Sequence, residues 1–159
     1  MATSARSFAG FIFIVSALVL GAALLSQYWG GLAPCELCLK ERWPWDAALA
    51  IAALVFLLSG RVGTGLPAIV LALIFAAGAA LAFYHVGVEQ HWFAGPSSCT
   101  TDATGAQTID DLRRQLLATE PVLCDQVQWS LFGVSLAGWN LIASAAMALY
   151  CIAAARRRA

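Results

Sequence analysis

The long uncharged stretches constrain this chain more than any other feature. Residues 8–25 read FAGFIFIVSALVLGAALL and residues 66–83 read LPAIVLALIFAAGAALAF, neither carrying a charge. A third runs over 131–152, and a shorter one, WDAALAIAALVFLL over 45–58, carries Asp46 near its start. Crossing a bilayer takes roughly 20 apolar residues. A core helix of a soluble bundle would show a polar face at helical period, and these segments are apolar all round. Composition agrees: 61% of residues are hydrophobic and 11% charged, against about 45–50% and about 25% in ordinary soluble domains. Lipid is the expected solvent. The formal net charge of zero gives no electrostatic case for nucleic acid.

The expected fold is therefore an all-α membrane protein, a single four-transmembrane-helix bundle. Its spans fall at about 8–28, 44–60, 65–86 and 130–154, with outer loops at about 29–43 and 87–129. The first span reads as retained: its apolar run exceeds the roughly 7–15 residues of a signal-peptide core, and Ser26-Gln27-Tyr28 offers no small-x-small cleavage site. Arginine placement sets the orientation. One side holds Arg6, Arg61, Arg156, Arg157 and Arg158 and no acid; the other holds all the acids. Basic residues stay on the cytoplasmic side, so both termini are expected in the cytoplasm and the two loops outside.

This topology gives the cysteines meaning. Cys35 and Cys38 fall in the first outer loop, Cys99 and Cys124 in the second, where disulfides persist. Cys151 falls inside the last span and reads as an inert buried thiol. Zinc would prefer two close ligand pairs; here one tight pair is followed by two separated cysteines, and His85 and His91 lack ligand-pair spacing. A structural disulfide suits Cys99 and Cys124. Between residues as close as Cys35 and Cys38 it would close a tiny loop and add little stability. A C-x-x-C pair at the mouth of a span makes better sense as a redox couple, because that motif favours the thiolate. Arg42, four residues after Cys38, would share its face if the chain is helical there. Glu36 and Glu41 oppose it, and Pro44 interrupts helix at Trp43.

The long outer loop carries its own helical signal. TIDDLRRQLL starts with Thr108 as N-cap and Asp111 three residues on, a variant of the capping box. Ile109, Leu112, Leu116 and Leu117 then share one face, as a short amphipathic helix lying on the membrane surface would require.

Taken together, these features resemble the DsbB family, quinone-linked disulfide oxidases of the bacterial inner membrane that serve periplasmic protein folding. The likeness covers essentially the whole chain and is sharpest in PCELCLKER, residues 34–42. It implies that Cys35 and Cys38 are the redox pair beside the quinone, and that Cys99 and Cys124 are the pair meeting a DsbA-like thioredoxin-fold partner. It further implies that Arg42 is the quinone-site arginine, and that His85, one residue out of register, lines the same site. In that scheme the partner's thiolate attacks Cys99, Cys124 attacks Cys35, and the freed Cys38 thiolate reduces ubiquinone or menaquinone. DsbA lies near −120 mV and inert structural disulfides below about −300 mV, a gap of ~8 kcal/mol for two electrons. A better acceptor such as quinone must drive the exchange. Two other readings of the same residues stand beside this one: a quinone or vitamin K epoxide reductase-like thiol-dependent membrane reductase, and a non-catalytic membrane scaffold with structural disulfides.

Overall fold

A computed structural model describes residues 4–96, 109 and 123–157. Helix α1 spans Ala5–Tyr28, opened by Ser4, whose Oγ accepts from the Ser7 backbone N–H at 3.2 Å. That bond satisfies one of the donors a first helical turn leaves free. The short α2, Glu36–Lys40, leads almost directly into α3, Trp43–Leu57. Pro44 lies in the first turn of α3, where its missing N–H has no intrahelical partner to lose. Helix α4 spans Gly65–Glu89 and α5 spans Leu136–Arg156.

The last helix begins later than the expected span. Strands β1 (Ser130–Leu131) and β2 (Val134–Ser135) form a hairpin with Ser130 opposite Ser135. Phe132 and Gly133 both have positive φ, 54° and 78°, the twist a two-residue hairpin turn needs. Ser135 then caps α5, its Oγ accepting from the Gly138 N–H at 3.1 Å.

Among the described residues, three helices are long and apolar enough to cross a membrane: α1, α4 and α5, with mean hydropathies of 2.6, 2.5 and 1.6. The remaining segment is helical but has only 15 residues. At 1.5 Å per residue it reaches about 22 Å, short of a hydrocarbon core of about 30 Å.

Helix α1 packs chiefly on α3, α4 chiefly on α5, and α3 joins the two pairs through α4. Their shared core sets Phe8 and Ile12 against Trp45, Leu71, Phe75, Met147 and a series of alanines. Trp45 meets Phe75 edge-on, ring centres 5.0 Å apart. Small residues such as Ala48, Ala52, Ala68 and Ala72 line the contacts, allowing the close backbone approach on which helices in lipid depend. At Gly78 helix α4 comes close to α3, since a Cβ there would lie 3.1 Å from Pro44 Cβ. The outward faces carry Leu18, Leu57, Leu66, Leu73 and Leu149, all well exposed, a surface suited to lipid rather than water.

Candidate active site at the mouth of the bundle

The site starts from how α2 begins. Cys35 precedes the helix in extended conformation and acts as its N-cap, with Sγ accepting from the Cys38 backbone N–H at 3.2 Å. One helical turn brings the Cys38 side chain back over it, and the sulfurs stand 2.8 Å apart in one hydrogen bond, in which Cys38 is the donor once Cys35 is ionised. Both thiols are free. His85, near the end of α4, places Nε2 3.6 Å from Cys35 Sγ. Its Nδ1–H donates to Glu41 Oε1 at 2.6 Å. Asn140 Nδ2 from α5 donates to Glu41 Oε2 at 2.7 Å, and Trp45 Nε1 from α3 donates to Asn140 Oδ1 at 2.8 Å.

The two thiols are unequal. The hydrogen bond from Cys38 is the largest influence on Cys35. Burial opposes it, while His85 and the Cys38 backbone N–H add to it, and the net effect pulls the thiol down to about 4. Cys38 is pushed up, first because it is the donor to Cys35, then by burial and by the charge on Cys35. The geometry thus describes one thiolate, Cys35, holding one proton-bearing partner, Cys38.

Cys124 comes to the same place. It is disulfide-bonded and buried in one apolar cluster with Cys35, Leu37 and Val88, against which Cys38, Leu81 and Tyr84 pack. A cavity of about 30 Å³ lies alongside, lined by both thiols, His85, Glu89, Leu123 and Trp129 among others. Cys99 and the expected surface helix lie outside the described residues, except Ile109, which is exposed.

Arg42 goes elsewhere. Helix α2 ends at Lys40, and Arg42 Nη1 donates to Gln27 Oε1 of α1 at 2.8 Å. The guanidinium is thus tied to α1, and it is not among the main influences on either thiol. His85, by contrast, faces Cys35 directly. Cys151 is fully buried and free in the bundle core. Cys35, Cys38 and His85 together offer donor types that zinc accepts. Two thiolates on tetrahedral zinc would stand about 3.8 Å apart given Zn–S bonds of about 2.3 Å. Sulfurs at 2.8 Å are too close for that, so the cluster as built is a thiol pair.

Sequence reasoning passed over Glu41 as an opposing charge and did not single out Asn140 or Trp45. One signal was available: Asn140 is an amide inside an apolar helix, and a polar group within a membrane span must find a partner.

A bundle of apolar helices with an unequal thiol pair at its mouth, backed by a buried imidazole and carboxylate, defines a membrane protein built for thiol–disulfide chemistry. Comparison with known proteins makes this specific: residues 5–154 match the family model of disulfide bond formation protein DsbB, and the chain belongs to the DsbB family. It is 30% identical over 154 residues to disulfide bond formation protein B of Stutzerimonas stutzeri, covering 94% of this chain and 93% of that one. The protein of the same name from Chromohalobacter salexigens is 32% identical over 146 residues, covering 86% and 81%. That from Marinobacter nauticus is 32% identical over 142 residues, covering 84% and 81%. No solved structure gives a significant match.

Proposed function

We propose that this protein is a quinone-dependent disulfide oxidase of the bacterial inner membrane. It reoxidises a DsbA-like periplasmic partner and passes the electrons to membrane quinone. The observation that carries this reading is the free Cys35–Cys38 pair packed against disulfide-bonded Cys124. We assign Cys99 as the partner of Cys124, α3 as a fourth span completed by the turn before it, and both termini to the cytoplasm.

The exchange balances as follows. The partner dithiol reduces the Cys99–Cys124 disulfide and leaves oxidised. The Cys124 thiolate attacks Cys35 Sγ of a Cys35–Cys38 disulfide, forming the Cys124–Cys35 bond and releasing the Cys38 thiolate. Cys99 then attacks Cys124, restoring the outer disulfide and leaving two electrons on the inner pair. The described geometry, with Cys124 bonded and Cys35 and Cys38 free, corresponds to that final state. While Cys35 is tied to Cys124, Cys38 loses both the acceptor and the negative charge that raise it. Cys38 is then the thiolate, as the leaving group of that exchange must be.

The residues present fit a prenyl-tailed quinone. An open apolar groove of about 400 Å³ between α3 and α4 is walled by Trp43, Pro44, Ala47 and Ile74, and by Leu81, which also packs against the sulfur cluster. Those residues would hold the apolar body, and Arg42, now on Gln27, would supply a fixed cation. A quinone accepts two electrons and two protons; the chain's own task is to present Cys38 at a dry apolar edge and exclude water. Single Cys→Ser variants test the reading through turnover of reduced partner with quinone. Loss in Cys35, Cys38, Cys99 and Cys124 variants with retention in Cys151→Ser is expected. Full activity in Cys99→Ser, or a dead but well-expressed Cys151→Ser, contradicts it.

A further inference from the structure

A carboxylate inside a membrane bundle is costly unless its lone pairs are met. Glu41 is 7% exposed, and both its oxygens are met, one by His85 and the other by Asn140. Asn140 is held in turn by Trp45, with Ser144 Oγ at 3.5 Å. The α2–α3 junction, α3, α4 and α5 thus converge on one buried polar chain that ends at Cys35. Glu41 reaches the sulfur only through the imidazole.

Resting on the reading of Cys35 and Cys38 as the electron-carrying pair, we infer that Glu41 is the positioning residue of this site. By accepting the Nδ1 proton it turns Nε2 of His85 toward Cys35 and makes the imidazole the acceptor of the Cys35 thiol proton. Reduction of the Cys35–Cys38 disulfide brings two electrons and two protons. One proton stays on Cys38 Sγ; the other passes from Cys35 Sγ to His85 Nε2, leaving a thiolate against an imidazolium. When the S–S bond re-forms, both electrons and both protons leave for the quinone acceptor. The Glu41 carboxylate, bonded to Nδ1–H, compensates the imidazolium. The charged and titratable groups around His85 are Cys35 and Cys38 of the α2 turn, Glu41, and Glu89 one turn on in α4, which accepts from Ser135 Oγ. Helix α5 contributes the neutral Asn140.

Glu41→Gln tests this because it keeps the shape and an acceptor for Nδ1–H while removing the charge. In full-length reduced protein in detergent, the rate of Cys35 alkylation is followed against pH by mass spectrometry of its peptide. The midpoint should rise by at least one pH unit in Glu41→Gln, and by less in Glu41→Asp, which restores the carboxylate one methylene short. A purely structural staple would lower the melting temperature and leave the midpoint in place, and a wild-type midpoint in folded Glu41→Gln overturns the inference. A second measurement needs no variant. Nitrogen-15 NMR of histidine-labelled wild type should show His85 Nδ1 protonated in both redox states, and Nε2 gaining a proton on reduction. An unprotonated Nδ1 overturns the inference equally. Neither readout uses partner or quinone. A shifted midpoint without quinone-coupled turnover sinks the oxidase reading alone, and normal turnover with an unshifted midpoint sinks only the role of Glu41.

Discussion

Replacing Cys38 with alanine removes the S–H that faces Cys35 at 2.8 Å, the largest influence holding that thiol down at about 4. A hydrogen bond to a charged group contributes about 1.5–3 kcal/mol, and one pH unit corresponds to about 1.4 kcal/mol, so the loss is about one to two units. His85 and the N–H of residue 38 remain, so the Cys35 midpoint should settle at about 5–6 rather than return to the ordinary thiol range. The direction of the linkage is fixed by the sign of the shift. A depressed thiol stabilises the folded state above its ordinary value of 9.0 and loses that stabilisation as pH falls through about 4. In Cys38→Ala the stability difference from wild type is full above the higher midpoint and vanishes below the lower one, while the ionised fraction of Cys35 differs most between the two midpoints. The assay is alkylation of Cys35 against pH, read from the mass of its peptide. Cys38→Ser restores an O–H donor and should bring the midpoint part of the way back. An unmoved midpoint in Cys38→Ala would refute the thiol-to-thiolate bond as the cause of the asymmetry.

Gly78→Val should lower thermal stability in detergent by about 1–3 kcal/mol, the usual cost of overpacking, because its Cβ would press on Pro44 at 3.1 Å; an unchanged melting temperature would show that α3 can slide. Arg42→Lys should raise the apparent quinone KM and Arg42→Ala should lose more, with exchange between partner and Cys99–Cys124 untouched, because a planar guanidinium differs from an ammonium at a low-dielectric edge. Wild-type quinone kinetics in both variants would leave Arg42 as an anchor bonded to Gln27. Reporter fusions at Arg61 and at Thr104 should give opposite signals, since the arginines segregate to one side; matching signals would remove the four-span topology.

The long helices were legible because each is an unbroken apolar run with its cap in the local sequence, as at Ser4 and Ser135. The start of α5 was not. Residues 130–135 are apolar enough to extend a span, yet positive φ at Phe132 and Gly133 turns them into a hairpin. The approach of Cys35 to Cys38 was legible from spacing alone, because a single helical turn brings residues three apart together. Which sulfur carries the charge was not, since that depends on His85 arriving from a helix 50 positions away in the chain. The partner of Arg42 was not legible either, because Gln27 comes from α1, 15 positions earlier in the chain. Glu41 reads locally as one charge among several, and its burial between His85 and Asn140 exists only after α4 and α5 pack.

In the proposed function, electrons travel from an outer dithiol through Cys124 and the Cys35–Cys38 pair to quinone. Purified protein, a reduced DsbA-like partner and quinone are mixed, and partner thiols and quinol are followed together. The account predicts one quinol formed for each partner disulfide, with both signals abolished in Cys38→Ser. Partner oxidation without quinol, or quinol formation that persists in Cys38→Ser, would contradict it.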